Sequence, residues 1–79
     1  MSVTILLFGR TAEVVGQHRI ERSAGAQTEV NDIVNSLRND FPGLNSCQLI
    51  YALNETYVSG EKEVTDGDEI AIFTPVSGG

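Results

Sequence analysis

The chain has 79 residues, 41% of them hydrophobic, and a formal net charge of −6. That length holds one domain with a small core, and the single cysteine (Cys47) and single histidine (His18) argue against a disulfide framework or a metal cage. No apolar run reaches the ~18–20 residues of a membrane span, and the start lacks the basic stretch and cleavage site of a signal peptide, so a soluble, cytoplasmic protein is expected.

Residues 3–8, Val-Thr-Ile-Leu-Leu-Phe, predict a largely buried first strand ended by Gly9. A helical turn or two follows around Ala12, Val14 and Val15, closed by Gly16. Gln17 to Arg22 alternates weakly around Ile20 and reads as a second strand, and Ser23 to Gln27 reads as loop. Val30, Ile33, Val34, Leu37 and Phe41 then form one apolar stripe at helical period. Thr28 is the expected N-cap. Glu29 and Asp32 in the first turn and Arg38 near the last suit the helix dipole, and Pro42 stops the helix. Gln48 to Leu53 predicts a strand, turned at Asn54-Glu55 so that Thr56-Tyr57-Val58 pairs back. After the turn Thr65-Asp66-Gly67-Asp68, Glu69 to Phe73 is the last strand, ended by Pro75. Ile70 and Ile72 share one face of it, Ala71 and Phe73 the other.

The first and last strands are the most apolar, so they are expected side by side in the middle of the sheet. One helix covering one face of a small mixed sheet is the economical way to bury both stripes. The expected fold is therefore α+β, a ubiquitin-like β-grasp. Its division is a β-grasp domain over residues 1–74 and a flexible, protruding Gly-Gly tail over residues 75–79.

Charge is uneven. Residues 1–40 hold four arginines against five acids, and residues 41–79 one lysine against six acids. Phosphates need a basic patch, so nucleic acid is a poor partner, and a protein partner fits better. No phosphate loop is present. The acids from Glu61 to Glu69 lack the alternate spacing of a calcium loop. His18 has no nucleophile or acid in a recognisable pattern beside it, and Cys47 has no basic neighbour to activate it.

What remains is Thr74-Pro75-Val76-Ser77-Gly78-Gly79. Pro75 stops strand pairing and directs the tail away from the sheet. Five residues reach roughly 17 Å into another protein, and Gly78-Gly79 can thread a slot too narrow for side chains. The reactive group is then the terminal carboxylate of Gly79. It is an anion at neutral pH and a poor electrophile until activated, most simply as an acyl-adenylate. This chain has no nucleotide site, so a second protein must supply ATP. A sulfur nucleophile displacing AMP leaves a thiocarboxylate; a lysine amine leaves an isopeptide bond.

These residues resemble the small sulfur-carrier subunit of molybdopterin synthase over essentially the whole chain. The resemblance rests on Ile5-Leu6-Leu7-Phe8, Glu13-Val14-Val15-Gly16, the hairpin Ala52 to Val58, and above all the run from Thr65 to Gly79 ending Pro-Val-Ser-Gly-Gly. It implies a carrier without a catalytic pocket or bound cofactor of its own. An E1-like adenylating enzyme uses ATP and Mg to activate Gly79. The tail of Pro75, Val76, Ser77 and Gly78 then threads the synthase large subunit, in a heterotetramer of two small and two large subunits. There the thiocarboxylate gives sulfur to cyclic pyranopterin monophosphate in molybdenum cofactor biosynthesis. Phe8, Tyr57, Val58 and Phe73 are the expected partner-binding residues, because an apolar patch facing away from the helix marks an interface. Two positions depart from the family pattern. Ala12 stands where many members carry arginine, with Arg10 nearby, and Thr74 stands where many have the first of two prolines. Two alternatives use the same fold. One is a carrier for thiazole synthesis, tRNA thiolation or protein modification; the other is a ubiquitin-like binding module with an inert tail.

Overall fold

The structure, a computed structural model, describes residues 1–75; Val76, Ser77, Gly78 and Gly79, on which the tail expectations rest, lie outside the described residues. Strand β1 (Ser2–Leu7) leads into a short helix α1 (Arg10–Val15), then strand β2 (Arg19–Ser23) and the main helix α2 (Val30–Asp40). Strands β3 (Ile50–Leu53), β4 (Thr56–Tyr57) and β5 (Glu69–Phe73) complete a five-stranded sheet in the order β2-β1-β5-β3-β4. β1 and β5 are adjacent and parallel, whereas the other pairs are antiparallel. This is the α+β, ubiquitin-like β-grasp expected.

The first strand is buried on one face rather than both. Val3, Ile5 and Leu7 are fully buried, as are Ile70 and Ile72 of β5. Against them α2 lays Val30, Ile33, Val34 and Leu37, the stripe read at helical period. Each full burial of such a side chain contributes about 1.5–3 kcal/mol. Residues between them on the strands, Thr4 and Leu6, are only half-buried, because no second layer among the described residues covers the other face.

The start of α2 differs from expectation. Glu29, not Thr28, is the N-cap, and its N–H donates to the Asp32 carboxylate at 2.8 Å. The Thr28 hydroxyl instead closes the preceding loop, donating to the Gly25 carbonyl at 2.7 Å. The reason is tertiary. The stretch from Gly60 to Val64 crosses the helix start, where the Val30 N–H donates to Lys62 at 2.9 Å and the Asn31 N–H to Gly60 at 2.8 Å. Two N–H groups that a helix leaves orphaned are thus met by a distant segment. At the other end α2 stops at Asp40. A 3-10 turn, Pro42–Ser46, follows and drives Leu44 fully into the core.

The hairpin turn is of the type in which both central residues take positive φ, at 49° for Asn54 and 71° for Glu55. Asn54 also ties the hairpin to β5. Its side chain accepts the Glu69 N–H and donates to Asp68, both at 3.0 Å. This bond from Asn54, then the Thr65 N–H at 2.7 Å, hold the Asp68 carboxyl below its ordinary value. With the folded value depressed, the stabilisation is present above about pH 4 and fades as pH falls through the lowered value.

Candidate functional site

The sheet has one covered face and one open face. Register places Leu6, Ala71, Ala52 and Tyr57 in one row across β1, β5, β3 and β4 on the open side. Ile50 lies opposite Phe73 in the next row. The Tyr57 ring, 74% exposed, meets Phe73 edge-on with centroids 6.0 Å apart. This leaves Phe73 half-buried rather than open. Phe8, one residue beyond β1, is 50% exposed. Phe8, Gly9, Phe73, Thr74 and Pro75 line a shallow depression of about 380 Å³, at the point where β5 runs toward the tail.

Three of the four expected partner-binding residues, Phe8, Tyr57 and Phe73, are therefore brought to one side and one end of the molecule. The fourth is not. Val58 follows Tyr57 by one position, so it turns to the opposite face and packs against the core. Leu6, Ile50 and Ala71, each half-buried, extend the patch in its place. Their signal in the sequence was faint, because β1 and β5 are apolar on both faces and only the position of α2 decides which face stays open.

The depression has a buried support that motif reading missed. Thr11 is the one buried polar residue among the described ones. Its hydroxyl lies 2.7 Å from the Phe8 carbonyl and 3.0 Å from the Ile72 carbonyl, and can donate to either, while the Phe8 N–H donates to it at 3.1 Å. α1 is thereby pinned to the last turn of backbone before the tail. The ends of α1 allow this. Gly9 takes φ 57° and ψ −128°, and Gly16 closes the helix at φ 82° with its N–H on the Ala12 carbonyl at 2.7 Å. Thr11→Val keeps the shape but removes the hydroxyl that serves three backbone groups; the Phe8 and Ile72 carbonyls still accept the Thr11 and Phe8 N–H groups at 3.2 Å, so it is expected to lower stability by about 0.5–1.5 kcal/mol and to speed amide exchange at Phe8. Chemical denaturation with hydrogen exchange checks this; unaltered values at both would remove Thr11 from its supporting role.

No three His, Cys, Asp or Glu side chains gather into a metal-binding group among the described residues. Cys47 is buried at the end of the 3-10 turn, where the Sγ faces the Gly43 carbonyl at 3.8 Å. No helix among the described residues is long and apolar enough to cross a membrane. The arrangement can dock an apolar partner surface beside the root of the tail.

Residues 5–79 match the model of the ThiS family. The chain is 35% identical to the molybdopterin synthase sulfur carrier subunit of Chlamydomonas reinhardtii, over 100% of both chains. It is 34% identical to the subunit of the same name from Escherichia coli, covering 98% of this chain and 99% of that one. Among solved structures, the crystal structure of SAMP1 from Haloferax volcanii superposes with a TM-score of 0.88 at 27% identity, over 100% of each chain.

Proposed function

The chain belongs to the ThiS family, and from that premise we propose that it is the sulfur carrier subunit of a molybdopterin synthase, acting in the cytoplasm. The observation that carries this reading is the meeting of the apolar open face with the root of the tail, at Phe8, Phe73 and Pro75. A partner seated on Tyr57, Phe73 and Phe8 receives the residues after Pro75 directly into its own interior. The full-length identity to subunits of that name supports the same assignment.

The chemistry then takes place at Gly79. An adenylating enzyme binds ATP and Mg and joins the glycine carboxylate to AMP, releasing pyrophosphate. A sulfur nucleophile displaces AMP, and the carboxylate becomes a thiocarboxylate. On the large synthase subunit this sulfur passes to the cyclic pyranopterin precursor, and hydrolysis returns the carboxylate. The carrier's part is to dock, to hold the tail root still and to present an end without side chains. Two copies of each subunit form the assembly.

A second reading is favoured by the likeness to SAMP1, small archaeal modifier protein 1. On this reading the activated Gly79 of the present chain is attacked by a lysine amine. Intact mass after incubation with the adenylating enzyme, ATP and a sulfur donor separates the two. The sulfur-carrier reading expects a gain equal to sulfur replacing oxygen, confined to the C-terminal peptide. An unchanged mass beside a proven active enzyme would overturn it, and covalent linkage to another protein's lysine in place of that gain would establish the modifier.

A further inference from the structure

Strand β2 is an edge of the sheet, and two hydrogen bonds show which of its backbone groups are in use. The Leu7 N–H donates to the His18 carbonyl at 2.9 Å, and the Ala24 N–H to the Met1 carbonyl at 2.8 Å. Along a strand, successive residues turn their N–H and C=O to alternate sides. Residues 18, 20, 22 and 24 therefore address β1. Arg19, Glu21 and Ser23 turn theirs outward, where nothing among the described residues pairs with them.

Exposed edges template pairing with another chain, and charge on them usually prevents it. Here the charges are ordered so that they complement a second copy. Arg19 and Glu21 lie on the same face two residues apart, only 4.0 Å from each other, with side chains 62% and 67% exposed. When two β2 strands run antiparallel about a two-fold axis through Ile20, Arg19 stands opposite Glu21 of the second copy, and Glu21 opposite its Arg19. These are the residues with free outward N–H and C=O groups, so each such pair exchanges two backbone bonds. Ile20, half-buried, meets Ile20 of the second copy at the close, non-hydrogen-bonded position between them. Moving the axis to Arg19 or Glu21 keeps free backbone groups in line but sets like charges face to face. The charge order thus selects one register.

We propose that β2 is a homodimerisation edge, two copies of the chain pairing antiparallel about Ile20 into one continuous ten-stranded sheet. The open apolar face and the tail root stay clear of this seam, since β1 lies between β2 and β5. The contact is short, so the dimer is weak and concentration-dependent.

Sedimentation equilibrium of the full chain from about 10 μM to about 1 mM tests this at low salt, where such pairs are least screened. Four proteins are compared: the natural chain, Arg19→Glu, Glu21→Arg and the double exchange R19E/E21R. All four side-chain sets are exposed, and circular dichroism checks that each folds. The natural chain is expected to dimerise in this range. Each single change, which sets like charges opposite at both pairs, is expected to raise the dissociation constant about tenfold. The double exchange restores opposite charges and returns it to near the natural value. A natural chain that stays monomeric, single variants that dimerise as well as it does, or a double exchange that fails to recover would each overturn the proposal.

Discussion

Removing Gly79 is expected to leave docking on the synthase large subunit unchanged and to lower sulfur transfer by more than about a hundredfold. The two effects separate because they belong to different parts of the molecule. On the proposed reading, docking rests on Phe8, Tyr57 and Phe73, all within the described body. Transfer depends on the position of one acyl carbon, and deletion of one residue withdraws it by roughly 3.5 Å. Displacements of even about 1 Å at a reacting centre cost on the order of a hundredfold in rate. Calorimetry for docking and a single-turnover sulfur-transfer assay give the two readouts. If the shortened chain transferred sulfur at the full rate, the acyl carbon of Gly79 would not be the transferring position and the proposed chemistry there would fall.

A second contrast is expected between two residues of β5. Ile70 is fully buried between the sheet and α2. Ile70→Ala therefore loses both transfer energy and packing, about 2–5 kcal/mol. For a chain of this length the whole stability is roughly 4–12 kcal/mol, so this single change removes a large part of it. Phe73 lies three residues on, on the open face and half-buried beside Tyr57. Phe73→Ala is expected to cost less than about 2 kcal/mol of stability, since one side of the ring already faces water. It should weaken partner docking by about thirtyfold or more, the effect of truncating a central aromatic anchor. Urea denaturation and partner titration of both variants give the comparison. Equal losses of stability and affinity in Phe73→Ala would place the ring in the core and take it out of the interface.

Local structure was legible in the residues wherever neighbours along the chain decide it. The α2 stripe from Val30 to Leu37, the closure of α1 at Gly16 and the turn at Asn54-Glu55 all follow from spacing or backbone freedom. The misses have a common cause. Thr28 has good capping chemistry, yet Glu29 caps α2 because the segment Gly60–Val64 arrives from thirty residues away and engages the first N–H groups. Leu44 carries no periodic partner, so the turn over Pro42–Ser46 is visible only once its burial is known. Thr11 looks like an ordinary polar residue until Ile72 comes within 3.0 Å of its hydroxyl.

By itself the sequence determined the strand and helix periods, the apolar centre of the sheet and the chemistry available to a Gly-Gly end. These depend on side-chain type and spacing over a few bonds. Only the tertiary structure decided which face of the sheet stays open, that Val58 turns inward while Leu6 and Ile50 join Tyr57 and Phe73, and that β2 presents the free groups of Arg19 and Glu21 at an edge. Each of these depends on where α2 and β1 come to rest. That is settled by burying the whole apolar surface at once, a sum over distant contacts that no short stretch of chain contains.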